Sequence, residues 1–368
     1  MSQIKKNNIA ILGNGQLASM LSDCADRLSL KTTAFPLLKL DKKGQIEASE
    51  IHYWVEQLKS FDVVTFEIEN LPVELLKSLE KVTSVRPAIK ALEVAQDRLK
   101  EKSLCTELVI PTNRYMAVSS YDDLKLAVES LGLPLVIKTR RFGYDGKGQF
   151  VIKDKNEIEQ AWQALKDAQN LIAEQFVPFD YEVSQVATRD VKGDIVYYPL
   201  VRNEHRAGIL RESFVLSDQQ TLMIKAQKIA EKLLNHFNYV GTFAIEFFVQ
   251  GDELLVNEMA PRVHNSGHWS INGATASQFE NHLRAVSGLE LVKPKLVAPF
   301  IMMVNLIGED VPINWQIAEG IYPKTYGKSL RENRKMGHIN VIGSSKEELK
   351  LRLNVIYQQI QAEACLAL

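Results

Sequence analysis

Cysteine is scarce in this chain, and the three present, Cys24, Cys105 and Cys365, are odd in number and far apart. That excludes a disulfide framework and a clustered zinc site, and it points to reduced thiols in a reducing compartment, hence the cytoplasm. Long hydrophobic runs are missing too. The polar start, Met1 to Asn8, is followed by an apolar stretch only from Ile9 to Leu12, too short for a signal peptide or a membrane span. Charge of one sign is also absent: Lys and Arg total 44 against 45 acids. Without a basic excess there is no global footprint for nucleic acid or anionic membrane, so any phosphate recognition must be local. No internal repeat, low-complexity tract, P-loop or protein-kinase signature occurs. What remains is a chain of 368 residues, 46% hydrophobic, enough for two or three domains with real cores.

The densest chemistry lies at Asn257-Glu258-Met259-Ala260-Pro261-Arg262-Val263-His264-Asn265-Ser266-Gly267-His268. It follows a hairpin pattern, Gly241 to Val249 and Glu253 to Glu258, with Gln250-Gly251-Asp252 as the turn. On such a hairpin Glu246 and Glu258 can face each other across the ladder. Two carboxylates held together among apolar neighbours both stay ionised only with a cation between them. Carboxylate and amide oxygens suit Mg²⁺, which keeps few protein ligands plus water and nucleotide phosphates, so Glu246, Asn257 and Glu258 form a candidate Mg-nucleotide site. The plain alternative is an edge hairpin with its acids in water. Arg262, His264, Asn265 and His268, spaced by Pro261 and Gly267, argue instead for an irregular loop lining a cleft.

Upstream, Ile9 to Leu12 runs into Gly13-Asn14-Gly15-Gln16-Leu17, a strand, a glycine turn and a helix with Leu17, Met20, Leu21 and Leu28 on one face. Gly13 and Gly15 can present backbone N–H groups to an anion, although Ala18 and Ser19 stand where a dinucleotide fingerprint has its third glycine. Phe61 to Glu67 repeats the strand pattern, and Gln16 and Glu67 fall at carboxyl ends of strands, where ligands of open α/β sheets collect. For the cluster Glu67-Ile68-Glu69-Asn70, capping of the next helix by Asn70 competes with substrate contact by Glu67. Residues 1–97 read as a βα domain; at its boundary a polar helix begins, with Asp97 suited to the cap, and Pro111 ends the connector.

A compact α+β unit follows: a helix at Tyr121 to Leu131, strands at Leu135 to Lys138 and Phe150 to Ile152, a helix at Glu157 to Ala168, and a strand at Leu171 to Val177. Between its first two strands lies Phe142-Gly143-Tyr144-Asp145-Gly146-Lys147-Gly148-Gln149, whose glycines let the backbone wrap anionic oxygens. Lys138, ending an apolar strand, needs an anionic partner. Glu174 and Val177 are placed to offer a carboxylate and a backbone edge to adenine, and Glu182 to accept ribose hydroxyls. Strands at Glu182 to Thr188 and Ile195 to Val201, helices at Thr221 to Phe237 and Ser277 to Ser287, a strand at Phe300 to Leu306 and a final helix complete the chain.

Taken in order, these motifs resemble the ATP-grasp superfamily and, within it, the family of N5-carboxyaminoimidazole ribonucleotide synthases, the ATP-dependent carboxylases of purine synthesis. The pieces are Gly13 to Leu17, Phe66-Glu67-Ile68-Glu69-Asn70, Asp97-Arg98, Gly143 to Gln149, Asn257 to His268, and Arg334-Lys335-Met336-Gly337-His338. The resemblance implies an ATP-grasp fold: a parallel-sheet βα domain over 1–97, a small lid over 98–185, and a larger antiparallel-sheet domain over 186–368. It implies ATP contacts at Arg98, Lys138, Gly143, Tyr144, Asp145, Gly146, Lys147, Gly148, Gln149, Glu174, Gln175, Phe176, Val177, Glu182, His205, Asn257 and Glu258. It also implies Mg²⁺ at Glu246 and Glu258, with two ions and Mn²⁺ as a substitute. The ribonucleotide would meet Gln16, Leu17, Glu67, Arg262, His264 and Asn265, with its 5′-phosphate near Lys328, Arg334 and Lys335. Lys138 and Arg262 would stabilise charge, Asp145 or His264 would take a proton, and the protein would be a homodimer without nucleic-acid or membrane partners.

Departures fall at Asn14 and Ala18, where the family has glycine, and at Glu332-Asn333, where it has Pro-Gly. Asn14 is expected to keep the turn because Asn tolerates positive φ. A sibling ligase, such as the formate-using glycinamide ribonucleotide transformylase or a biotin carboxylase, is the alternative within the superfamily. A non-catalytic nucleotide-binding regulator is the alternative outside it, and the retained pair Glu246 and Glu258 argues against that reading.

Overall fold

The computed structural model describes residues 7–36, 46–143, 148–168, 170–309 and 319–360. Tyr144, Asp145, Gly146 and Lys147 of the expected flap, and Cys365, lie outside the described residues.

The first unit alternates strand and helix: β1 (Asn8–Leu12), α1 (Gln16–Ala25), β2 (Lys31–Phe35), α2 (Ala48–Leu58), β3 (Val63–Phe66), α3 (Val73–Glu80), β4 (Ser84–Val85) and α4 (Ile89–Ala95). The strands pair in parallel in the order β2-β1-β3-β4. β1 and β3 are apolar at nearly every position because both faces of the sheet are covered. Ile9, Ile11 and Val63 enter a core with Met20 and Leu21, while Ala10, Leu12, Val64 and Phe66 pack with Leu75, Leu76 and Leu79. Asn70 does not cap α3, whose N-cap is Pro72 with no side-chain bond. α5 (Arg98–Glu107) follows, and Asp97 caps it as expected, accepting the N–H of Leu99 and Lys100.

The second unit comprises β5 (Tyr115–Val118), α6 (Tyr121–Leu131), β6 (Leu135–Thr139), β7 (Gln149–Ile152), α7 (Ile158–Leu165) and β8 (Leu171–Gln175), an antiparallel sheet ordered β5-β8-β6-β7. Ser120 and Asp123 form a capping box that starts α6. The last strand ends at Gln175, so Phe176 and Val177 lie just beyond it.

The third unit is a nine-stranded sheet. Its strands are β9 (Tyr181–Arg189), β10 (Ile195–Tyr197), β11 (Val201–Arg206), β12 (Ile209–Val215), β13 (Gly241–Gln250), β14 (Glu253–Ala260), β15 (Phe300–Ile307), β16 (Ile321–Thr325) and β17 (Lys335–Gly343). The order is β14-β13-β9-β11-β12-β15-β17-β16, with β10 on β9. The single strand expected over Ile195 to Val201 is two, because Pro199 has no N–H to continue the ladder. Its helices are α8 (Gln220–His236), α9 (Ser270–Gly273), α10 (Gln278–Ser287) and α11 (Lys346–Gln359). α8 buries Leu233 and Leu234 against Phe243, Ile245, Phe247 and Val249, the apolar face of β13. α10 joins the units: Phe279, Leu283 and Val286 share a core with Ile9, Ile11 and Val63.

Candidate active site

The β13–β14 hairpin turns over Gly251-Asp252, with Gly251 at φ 58°, and pairs Glu246 directly with Glu258. Odd-numbered residues of β13 point into the core, which sends Glu246 to the opposite face. On β14 the parity changes: Val256 and Met259 both enter the core, and the register shifts beside Glu246. This bulge places Asn257 and Glu258, consecutive in sequence, on the same face as Glu246. Glu246 is 12% exposed, whereas Glu258 opens to the cleft at 42%. Burial, and then Glu258 beside it, push the Glu246 carboxyl up to about 7. Burial also raises Glu258, but Arg98 and Lys138 outweigh it and hold that carboxyl below its ordinary range.

Cations from the other elements converge on this pair. Arg98, at the start of α5, donates to Glu258 at 3.2 Å. Lys138, at the end of β6, meets Glu174 of β8 at 2.9 Å, which supplies the anionic partner that an ammonium there requires. Glu174 is 2% exposed, yet Lys138, Lys102 and the Asn113 amide overcome the effect of burial and bring its carboxyl down to about 2. His205 bonds Glu182 at 2.5 Å across β11 and β9. Burial alone would lower the His205 imidazole; the Glu182 bond and the charge of Glu246 raise it to about 9, so it is a cation at neutral pH. Gly148 and Gln149 flank the strand pair, with the Gly148 carbonyl accepting from Thr139 at 2.8 Å.

Residues that sequence reading passed over complete this wall. Lys102, 1% exposed, donates to Thr112, Asn113, and the carbonyls of Val256 and Asn257 at 2.8 to 2.9 Å, tying α5 and the approach to β5 to the bulge. Glu101 accepts the Met259 N–H at 2.5 Å and is pushed up to about 8 by burial and by Glu258. Glu69 ion-pairs with Arg262 at 2.7 Å. Only the spacing in Glu67-Ile68-Glu69 hinted at the last.

The loop after β14 carries Arg262, His264 and Asn265, and brings His264 to Glu246 and Arg262 to Glu69. His264 Nδ1 accepts the Ser266 N–H, which leaves its proton on Nε2, 3.6 Å from Glu246. Burial first, then Arg262 and Lys335, hold this imidazole well below its usual pKa, so it is neutral. Both amide atoms of the Asn265 side chain are buried without a protein partner, poised for a ligand or ordered water.

The glycine turn of the first unit already holds an acceptor group, and it is internal. Glu67, 5% exposed, accepts the N–H of Gly15 at 2.5 Å and of Ala18 at 2.9 Å. A Cβ on Gly13, whose φ is 112°, would stand 2.4 Å from Glu67 Cγ. Positive φ therefore falls on Gly13 and not on Asn14 as expected, while Asn333, at the other departure, does adopt φ 59°. Gln16 accepts from Lys328, whose ammonium also reaches the Lys335 carbonyl at 3.2 Å, so the first and last segments meet here. Leu17 and Tyr326 both pack against the core cluster that contains Val263. Arg334 donates to Ser329 at 3.1 Å on the exposed side of the same loop.

Comparison with known proteins follows this layout. Residues 6–96 match the ribonucleotide synthetase preATP-grasp domain, 103–279 the ATP-grasp domain, and 302–352 the phosphoribosylaminoimidazole carboxylase C-terminal domain. The N5-carboxyaminoimidazole ribonucleotide synthase of Vibrio cholerae is 40% identical over 353 residues, spanning 94% of this chain and 93% of its own. The chain belongs to the N5-carboxyaminoimidazole ribonucleotide synthase family. The crystal structure of the synthetase of this family from Thermus thermophilus superposes with TM-score 0.86 at 39% identity, covering 98% of this chain and all of that one. The family's enzyme from Aspergillus clavatus, solved with ADP and 5-aminoimidazole ribonucleotide, gives TM-score 0.84 at 26% identity, covering 97% and 99%. The ATP-grasp fold expected from sequence is therefore the fold of this chain. No helix among the described residues is long and apolar enough to cross a membrane.

Proposed function

We propose that this protein carboxylates 5-aminoimidazole ribonucleotide with bicarbonate and ATP, giving N5-carboxyaminoimidazole ribonucleotide, ADP and phosphate in purine synthesis. The observation that carries the reading is the facing pair Glu246 and Glu258, ringed by Arg98, Lys138 and His205 from three different elements. The triphosphate lies between that hairpin and the β6–β7 end of the second sheet. Adenine contacts Glu174, Gln175, Phe176 and Val177, and ribose contacts Glu182. We take 1–97, 98–185 and 186–368 as the three functional domains.

The donor set fits Mg²⁺. Two carboxylate groups and the Asn257 amide share one face, where burial first and then Glu258 beside it raise the Glu246 carboxyl, a setting that a bound cation would relieve. Among the described residues no cage of three or more His, Cys, Asp or Glu exists, as suits an ion completed by phosphate oxygens and water. Magnesium at Glu246 and Glu258 would neutralise the charge of the triphosphate.

A bicarbonate oxygen attacks the γ-phosphorus, the bond to the bridging oxygen breaks, and ADP leaves. Arg98 and Lys138 release Glu258 and Glu174 to hold the transferring phosphoryl oxygens. The exocyclic amine of the ribonucleotide then attacks the carboxyl carbon of carboxyphosphate, or CO₂ released from it, and phosphate departs. Arg262 and the Nε2–H of His264 steady the carboxylate oxygens. With its Nε2 proton facing Glu246, His264 is set to donate rather than accept, which favours Asp145 over His264 as the acceptor of the amine proton. Gln16, Leu17, Asn265, Lys328, Arg334 and Lys335 bind the ribonucleotide, and Glu67 acts through the turn that it closes.

The test is ADP formation with ATP, bicarbonate and 5-aminoimidazole ribonucleotide, each omitted in turn. Turnover only with all three is expected; equal turnover without the ribonucleotide, or with formate in place of bicarbonate, would overturn the reading. The same family reading carries a homodimer, which sedimentation of the purified protein checks.

A further inference from the structure

We infer that Gln278 is the positioning residue of the ribonucleotide loop, a two-point clamp on the backbone of His264 that sets where its imidazole meets the substrate. The inference rests on the reaction proposed above and extends it to a residue outside the expected site.

Gln278 opens α10 directly after the Ser277 cap and is fully buried. Its Oε1 accepts the His264 N–H at 2.9 Å and its Nε2 donates to the His264 carbonyl at 2.6 Å. Bonding both backbone groups of one residue is what a neighbouring strand does, so His264 cannot slide or turn without breaking both. These contacts also fix which end of the amide is nitrogen. That Nε2 reaches His268 Nδ1 at 3.2 Å, which makes His268 Nδ1 an acceptor.

The clamp is anchored behind. The Gln278 N–H donates to Ser270 Oγ at 3.0 Å, and Ser270 Oγ donates to the Gly267 carbonyl at 2.6 Å. The Gln278 carbonyl accepts from Thr242 Oγ1 at 3.0 Å, on the strand that carries Glu246. One turn along α10, His282 accepts the Thr242 N–H at 3.1 Å and bonds Thr65 at 2.9 Å, on the strand that leads to Glu67 and Glu69. Thr65, Thr242, Gln278 and His282 are all fully buried. A Cβ at Gly267 would stand 2.5 Å from Gln278 Oε1, so the loop and the clamp are fitted to each other. One helix therefore fixes the substrate loop, the carboxylate strand and the first unit together.

Two variants test this. Gln278→Met keeps the bulk and removes both bonds; kcat/KM for the ribonucleotide should fall about 100-fold, as displacements near 1 Å produce. Affinity for Mg·ADP, measured by calorimetry, should stay within about twofold, because the bonds removed are not on the nucleotide wall. Gln278→Glu keeps the acceptor for the His264 N–H, and only its protonated form can donate to the His264 carbonyl. Its kcat/KM relative to the unsubstituted enzyme should thus rise about tenfold from pH 8.5 to pH 6. The titratable groups around position 278 are His264 and His268 on the loop, His282, Glu280 and Arg284 on its own helix, and Cys24 on α1 beside Ser277; burial holds the three imidazoles neutral. A Met variant with unchanged kcat/KM, or one losing Mg·ADP affinity in equal measure, overturns the inference. If the Met variant does not fold, a flat pH ratio for the Glu variant overturns it and a rising one sustains it. Absence of turnover in the unsubstituted enzyme refutes the reaction and the inference together, whereas unchanged kcat/KM in the Met variant or a flat pH ratio in the Glu variant refutes only the inference.

Discussion

Replacing Glu246 with Gln removes one charge from the facing pair at constant shape, and its effect should change with pH. In the nucleotide-free protein, burial and Glu258 raise the Glu246 carboxyl from 4.5 to about 7. At roughly 1.4 kcal/mol per pH unit, that shift costs the folded state about 3 kcal/mol once the group is ionised. The sign follows from the direction: a raised carboxyl gives stability that is fully present below 4.5 and lost as pH rises through about 7. Urea denaturation of Glu246→Gln and the unsubstituted protein should therefore coincide near pH 4.5, and the variant should be the more stable by about 1 to 3 kcal/mol at pH 8.5. Magnesium and ADP should close this gap or reverse it. At a hundred times its dissociation constant a ligand adds about 2.7 kcal/mol to the protein that binds it, and the variant should forgo most of this. A gap that does not grow with pH, or equal stabilisation of both proteins by Mg·ADP, would refute the reasoning.

Glu258→Gln should abolish ribonucleotide-dependent ADP formation while the fold persists, and turnover at the unsubstituted rate would remove the metal assignment. Glu174→Gln should flatten the acid limb of stability: the lowered Glu174 carboxyl stabilises above its ordinary range, and this is lost as pH falls from about 4.5 toward 2, which acid titration by circular dichroism reads. Gly15→Ala, whose Cβ would stand 2.8 Å from Glu67 Oε1, should raise KM for the ribonucleotide about tenfold or more and leave KM for ATP unchanged, as steady-state kinetics would show.

How much of this was legible in the sequence varies with what each side chain faces. The β13–β14 hairpin and its paired carboxylates could be read because apolar residues alternate along β13 and a Gly-Asp turn separates the strands. β11 and β12 were harder: the strand expected over Ile195 to Val201 reaches only the first residue of β11, and β12 falls in no expected strand. Residues such as Arg202, Glu204, His205, Arg211 and Glu212 break the alternation that marks a strand, because much of this sheet faces polar neighbours rather than a core. Partner choice was the least legible. Glu67 could be placed at a strand end, but nothing in the spacing told that it would close the turn at Gly15 rather than reach outward. Lys102 and Gln278 are ordinary helix residues in sequence; their importance comes from backbone carbonyls and N–H groups more than ten residues distant.

The central claim is that bicarbonate attacks ATP before the ribonucleotide is carboxylated, and isotope transfer tests it most directly. With ¹⁸O-bicarbonate, ATP and 5-aminoimidazole ribonucleotide, the phosphate released should carry one ¹⁸O atom, by mass spectrometry, for each ADP formed. Phosphate free of label during full turnover would contradict the account.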